Sequence, residues 1–325
     1  MEFTFLGTSA GTPTRARNVS ALALQHGRPK HWYLIDCGEA TQHQLLRSRH
    51  SVMQLQAIFI THIHGDHTFG LPGLLASASM MKRTEPLTIV APKQVQNFVE
   101  AALGNTDSTL GYELRFVDSE AGDFVWEDEA FRVTTTALSH RVPCRAFTFT
   151  EKNLERQLMQ DRLLADGIEA GPLWGKLQQG QDVMTPDGRR LRAEDYTRVT
   201  RPPRKLIVAG DNDNPELLAD SCQGAQVLIH EATYTTPVAE HVGPWPQHSA
   251  AARVAAFARD AGLPNLVLTH FSSRFQSRPG ARPHIDEIEA EAREHYQGQL
   301  VMARDFLTCR LEKNLDLHAL TESAC

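Results

Sequence analysis

The chain has 325 residues, of which 41% are hydrophobic and 22% charged, with a net charge of -6 at neutral pH, enough for one large or two ordinary globular domains with a substantial core. No apolar run approaches the roughly 20 residues that span a bilayer, and the opening MEFTFLGTSAGTP lacks a basic or apolar signal region, so no membrane is involved and a cytoplasmic address is expected. The charge does not announce a polyanionic partner, and the scattered cysteines Cys37, Cys144, Cys222, Cys309 and Cys325 argue against a disulfide framework or a thiolate zinc site.

In chain order, short β-branched or apolar runs at residues 3–6, 32–35, 57–60, 87–90, 131–136, 206–208, 227–229 and 266–268 read as strands. Helical spacing of apolar residues falls at 95–103, 249–261 and 285–296, so the class is α/β or α+β with helices packed on sheets. Residues 151–203 break this rhythm. They cluster Gly and Pro, hold no run of core-strand quality and read as an insertion. Over 151–205, 11 Lys and Arg face 9 Asp and Glu, a local +2, which leaves 22 against 30, or -8, for the rest of the chain. Arg189, Arg190, Arg192, Arg198, Arg201, Arg204 and Lys205 make its distal half the most basic part, although a solvated linker would have the same composition. Residues 312–325 are polar and read as a peripheral tail.

The densest chemistry lies at residues 60–70, ITHIHGDHTFG, where His62, His64, Asp66 and His67 follow an apolar run. Alternate side chains of an extended segment share a face, so His62 and His64 can grip one ion. Asp66 and His67 sit on the following turn, displaced toward a second ion. Other apolar runs end in a ligand-type residue: RVTTTALSH in His140, KLIVAGD in Asp211, QVLIHEAT in His230 and Glu231, LVLTH in His270. Carboxyl ends of neighbouring strands are where α/β sheets build sites, so these residues can converge. Asp211 has two carboxylate oxygens and is read as the ligand shared by two cations, with His62, His64 and His140 on one and Asp66, His67 and His270 on the other. Two divalent cations side by side activate water and stabilise both oxygens of an in-line displacement, so the implied chemistry is hydrolysis. His248, in PWPQHSAAARVAAFA, can supply the proton a poor leaving group needs, with Glu231 fixing its tautomer. It reads equally well as a helix-start residue without chemistry.

These residues, in this order, resemble the ribonuclease Z family of the metallo-β-lactamase superfamily, the tRNA 3′-processing endonucleases. The match runs nearly end to end, through FLGTSAGTPTRARN (5–18), DCGEATQHQL (36–45), THIHGDHTFGLPGLL (61–75), HEAT (230–233) and THFSSRF (269–275). The H-x-H-x-D-H run alone marks only the superfamily; the N-terminal loop, HEAT and SSRF make the resemblance specific. It implies a four-layer αββα sandwich, with 1–150 and 204–311 forming one discontinuous catalytic core and 312–325 a tail. It also implies that 151–203 is the family's flexible tRNA-binding arm, with Gly171 and Pro172 in its GPL motif.

The resemblance further implies two divalent ions, Zn²⁺ or else Mn²⁺ or Co²⁺, a homodimer, and precursor tRNA as substrate. Asp66 would be both ligand and proton acceptor, His248 with Glu231 the leaving-group acid, and Arg15, Arg17, Asn18 and Arg274 substrate contacts. Ala40, Arg15, Asn212 and Phe275 depart from the family's usual glycine, lysine, threonine and tyrosine. Two other readings compete: a hydrolase of the same superfamily acting on small phosphodiesters or esters, and an RNA-binding protein with structural metals. The closed four-ligand cages usual for structural zinc weigh against the latter.

Overall fold

The computed structural model describes residues 1–27, 31–152 and 154–320. Alternation along the strand Leu55–Phe59 sets the architecture. Phe59 points into Phe147 and Phe149 of the strand Cys144–Glu151, at ring-centroid distances of 5.3 and 5.1 Å. Ile58 points the opposite way, into a cluster with Leu71, Leu74, Leu75, Val95 and Val99 from the helices Leu71–Met80 and Lys93–Asn105. One strand therefore separates an inter-sheet core from a sheet–helix core. The result is the αββα sandwich that the resemblance implies.

The first sheet has eight strands, in the spatial order Leu317–Leu320, Thr308–Leu311, Glu2–Gly7, Ala21–Gln25, Trp32–Ile35, Leu55–Phe59, Leu87–Ala91 and Leu114–Asp118. The last four are parallel. The second has seven, in the order Gln299–Met302, Asn265–Thr269, Val227–Glu231, Lys205–Ala209, Cys144–Glu151, Phe131–Leu138 and Val125–Glu127, the first four parallel. Helices Ala251–Asp260 and Asp286–His295 pack together, the former also on Asn265–Thr269. The inner parallel strands are almost wholly buried, which is why their sequences read as unbroken apolar runs, whereas the edge strands Leu114–Asp118 and Gln299–Met302 are not.

All eight runs expected as strands are strands, and the three helical stretches are Lys93–Asn105, Ala251–Asp260 and Asp286–His295. The tail departs from expectation. Leu317–Leu320 pairs antiparallel with Thr308–Leu311, with Leu317 buried, so part of it is an edge strand; its two central residues, His318 and Ala319, are exposed, which hides the strand from an apolar search.

Two compact units are distinguished: Met1–Trp126, Val133–Phe149 and Lys205–Cys325 form the first, Glu127–Arg132 and Thr150–Arg204 the second. The second unit has a core of its own, built from Leu163, Leu177, Val183, Leu191, Ala193 and Tyr196 on short helices and two-residue to three-residue strands. Its basic residues are less available than composition suggests. Arg201 and Arg204 both grip the buried Glu151 carboxylate in two-point contacts of 2.6–3.0 Å, tying the two ends of the insertion. Arg189, Arg190 and Arg192 pair with Asp166, Asp182 and Glu194 at the surface. Such exposed pairs contribute about 0–1 kcal/mol, so they can be exchanged for phosphate at little cost.

Ala40 precedes the helix Thr41–Leu46 at φ 59°, ψ 11°, in the left-handed region where a Cβ is strained. That conformation explains why glycine is usual there. Ala40→Gly is expected to stabilise the fold by about 1 kcal/mol, read as a rise in Tm of about 2 °C by thermal melting; an unchanged or lower Tm would contradict the strain.

Candidate metal centre

The site forms where strands of both sheets end. His62, His64, Asp66 and His67 leave the first sheet after Leu55–Phe59, and Asp66 and His67 open the short helix Gly65–Thr68. From the second sheet come His140 after Phe131–Leu138, Asp211 after Lys205–Ala209, Glu231 at the end of Val227–Glu231, and His270 after Asn265–Thr269. Two glycines let the backbones close in. A Cβ on Gly38 would lie 2.2 Å from the Asp66 carbonyl oxygen, and one on Gly210 would lie 2.5 Å from Cys144 Sγ and 2.7 Å from Thr61 Cβ.

Seven donor residues gather in two sets. In one, His64 Nδ1 lies 3.1 Å from both His62 Nε2 and His140 Nε2, and Asp211 Oδ2 lies 3.5 and 3.7 Å from those two Nε2 atoms. In the other, His270 Nε2 lies 3.2 Å from His67 Nε2 and 3.3 Å from Asp66 Oδ2, while Asp211 Oδ1 lies 3.5 Å from His67 and 3.4 Å from His270. Asp211 faces each set with a different oxygen. Ligands about 2.0–2.1 Å from a tetrahedral ion stand about 3.3–3.4 Å apart, so the spacing of both sets fits that shell.

The ring partners fix the tautomers. His140 Nδ1 meets the Gln247 carbonyl at 3.0 Å, His62 Nδ1 meets Thr61 Oγ1 at 3.0 Å, and His67 Nδ1 meets Asp36 Oδ2 at 2.7 Å. Each Nδ1 donates outward, which leaves the Nε2 lone pair facing the centre. Charge fits as well. Asp36, Asp211 and Glu231 are buried and Asp66 nearly so, and the ion pairs described for them run to histidines. Four buried carboxylates require compensating cationic charge, and two divalent ions supply that amount. The same surplus acts on His67: burial opposes a proton there, yet Asp211, Asp36 and Asp66 outweigh it and raise the imidazole's pKa, a pull that cations held by those carboxylates would relieve. Burial likewise works to raise the Asp66 carboxyl, but the His67 and His270 imidazoles lower it.

His248 stands beside both sets. Its Nδ1 is 2.9 Å from Glu231 Oε1 and 3.9 Å from Asp211 Oδ2. Burial pushes this imidazole down, but Glu231 and Asp211 prevail and raise it to about 9. Glu231 is itself held by the backbone N–H groups of Asn212 at 3.0 Å and Thr233 at 3.2 Å, and by the Thr233 hydroxyl. Because Asn212 reaches Glu231 through its backbone, its departure from threonine leaves that contact in place. His230 is not brought to the centre; it is buried against the Glu231 carbonyl at 2.7 Å and Asn212 Nδ2 at 3.1 Å.

The residues expected at the substrate divide. Arg17 is spent inside the chain, donating to Thr8 Oγ1 at 2.8 Å and the Ala303 carbonyl at 2.7 Å, with its guanidinium over Phe271. Asn18 bonds the Glu39 carbonyl and, through its N–H, Asp305. Arg15 and Arg274 are exposed; Arg15 lines a cleft of about 670 Å³ with Thr14, Phe275 and Arg278. Gly171 and Pro172 start the helix Pro172–Gln178 in the second unit. Sequence reading passed over Asp36, which takes the Thr61 N–H at 2.8 Å and His67 on one carboxylate. The signal was there: Trp32–Ile35 runs directly into Asp36, the same strand-end pattern that flags Asp211 and His270.

This sandwich, with a His and Asp cluster across its strand ends, defines the class: a metallohydrolase of metallo-β-lactamase fold. Among solved structures, the metallo-β-lactamase fold protein YhfI of Bacillus subtilis matches 94% of this chain and 98% of its own at TM-score 0.64 and 17% identity. Human tRNase Z, short form, covers 95% and 98% at TM-score 0.63 and 26% identity. The family model described as Anti-Pycsar protein Apyc1 matches residues 1–136. Ribonuclease Z of Marinobacter nauticus is 67% identical over 318 residues, 98% of each chain. The chain belongs to the ribonuclease Z family.

Proposed function

We propose that this chain is an endoribonuclease that removes the 3′ trailer from precursor tRNA by hydrolysis, leaving a 3′-hydroxyl on the tRNA and a 5′-phosphate on the trailer. The observation that carries the reading is the shared Asp211 between two donor sets of tetrahedral spacing, in a chain 67% identical to a ribonuclease Z. His62, His64, His140 and Asp211 would hold one divalent ion and Asp66, His67, His270 and Asp211 the other, most simply zinc given the imidazole and carboxylate donors. Bound there, the ions activate water and neutralise the phosphate.

The chain's own residues do the rest. Asp66 Oδ2, oriented by the Gly11 N–H at 2.7 Å, accepts the water's proton. His248, whose Nδ1 is engaged by Glu231, presents Nε2 to protonate the departing 3′-oxygen. Arg15 and Arg274 are exposed and offer positive charge to phosphates flanking the cut. The second unit binds the body of the tRNA, its exposed ion pairs giving way to phosphates. The reading extends to a cytoplasmic homodimer. No helix among the described residues is long and apolar enough to cross a membrane.

The test is to incubate the purified protein with a 3′-extended pre-tRNA, with and without zinc or manganese, and map both product ends. One metal-dependent cut near the end of the acceptor stem, leaving a 3′-hydroxyl, supports the reading. Hydrolysis of a small phosphodiester with intact pre-tRNA would refute it in favour of a small-molecule hydrolase. Replacing residues 152–203 with a short Gly-Ser linker is expected to lower pre-tRNA cleavage by at least about 100-fold while small-diester hydrolysis persists, measured by kcat/KM on both substrates.

A further inference from the structure

Next to the metal centre lies a second cleft that the reaction above does not use. It has a volume of about 820 Å³ and is walled by His64, Arg141, Val142, Pro244, Trp245 and Gln247 among others. Trp245 is 74% exposed. A single exposed aromatic ring needs no explanation, but three further features set this one apart. The Arg141 guanidinium lies over it, 4.3 Å from the ring centroid, a cation–π contact that holds the indole in place. Both residues are anchored to the centre: Arg141 directly follows His140, and Gln247, two residues after Trp245, accepts the His140 Nδ1 hydrogen bond at 3.0 Å. The cleft opens on His64 itself, so whatever extends from a phosphate at the centre in that direction meets the ring.

We propose that Arg141 and Trp245 form a stacking platform for a nucleobase adjacent to the scissile phosphate; this rests on the nuclease reading. A ring with most of its surface free and a guanidinium over it suits a base of any identity, because every base offers a π-face. The guanidinium also places a positive charge where the next phosphate of the strand would pass. The separate cleft of Arg15 and Phe275 is lined by arginine side chains and hydroxyls, without an exposed indole.

The experiment measures kcat/KM for the full chain and for Trp245→Ala and Trp245→Phe on a 3′-extended pre-tRNA. The same RNA is also prepared with an abasic residue immediately 5′ or immediately 3′ of the cut. Trp245→Ala is expected to lower kcat/KM roughly 5- to 150-fold on the intact RNA, with Trp245→Phe retaining most of it. On one of the two abasic RNAs the unsubstituted chain is expected to fall by a similar factor and Trp245→Ala to lose little more. That coupling identifies the stacked nucleotide. Circular dichroism and metal content establish that Trp245→Ala is folded and loaded.

No loss with Trp245→Ala overturns the proposal, as does an equal loss on the intact and both abasic RNAs. An equal loss together with a changed sedimentation coefficient would make the ring a contact between copies of the chain instead. If the unsubstituted protein leaves pre-tRNA whole but hydrolyses methyl p-nitrophenyl phosphate, which carries no base, the nuclease reading has failed and the platform falls with it.

Discussion

Asp211→Ala is expected to lower pre-tRNA cleavage by at least about 10³-fold and to strip metal from the protein, because this one residue serves both donor sets. Its Oδ2 faces His62 at 3.5 Å and His140 at 3.7 Å, and its Oδ1 faces His67 at 3.5 Å and His270 at 3.4 Å. No imidazole at the centre has that double reach. Burial acts to raise the Asp211 carboxyl, but His270, His67 and His62 outweigh it and hold its pKa well below the usual carboxylate range, so it is ionised at any pH where the protein works. Alanine removes the one carboxylate that faces both sets and leaves each a donor short, and a Lewis-acid site contributes several kcal/mol to the transition state. Asp211→Asn keeps the volume and one oxygen and is expected to retain more metal than alanine but far less than aspartate. Metal per chain, measured by elemental analysis beside turnover and circular dichroism, decides the matter. A folded Asp211→Ala protein with full metal content and near-normal turnover would show that Asp211 does not bridge.

Much of this was legible in the sequence because the inner parallel strands are buried on both faces and so leave continuous apolar runs, several ending where the chain turns out into the site. Asp211 and His270 could be found by that rule without knowing which strands are neighbours, whereas His140 follows the half-exposed Phe131–Leu138 and shows only as a ligand-type residue after a β-branched run. Less was legible where burial is one-sided. Leu114–Asp118 and Leu317–Leu320 are edge strands with exposed positions, and Cys144–Glu151, although buried almost throughout, interleaves Thr with Phe, so none of them stands out as an apolar run. The partners behind the donors were the least visible. Asp36 behind His67 and the Gln247 carbonyl behind His140 act across 31 and 107 residues of sequence, and such pairings are set by tertiary contact alone. The basic composition of the insertion misled for the same reason: Arg201 and Arg204 look like phosphate binders in the sequence and are buried against Glu151 in the fold.

The role of His248 is tested by the leaving group. In pre-tRNA the departing oxygen is a ribose alkoxide, a poor leaving group that needs a proton as the bond breaks, whereas the p-nitrophenolate of a synthetic diester departs readily without one. A residue that supplies that proton matters greatly for the first substrate and little for the second. His248→Ala is therefore expected to lower kcat on pre-tRNA by about 10²- to 10⁴-fold and hydrolysis of methyl p-nitrophenyl phosphate by less than about 10-fold. The geometry supports an acid. Nδ1 is tied to Glu231 at 2.9 Å, which fixes the ring; burial opposes a proton there, but Glu231 and Asp211 outweigh it and raise the imidazole to about 9. Glu231→Gln keeps the volume but withdraws the charge that favours the imidazolium and turns one of two accepting oxygens into a donor. Its loss on pre-tRNA should lie between those of the intact enzyme and His248→Ala, again with the synthetic diester nearly spared. If His248→Ala instead slows both substrates by the same factor, the residue acts by holding Asp211 and the metal ligands in place, and the proton for the leaving oxygen comes from elsewhere.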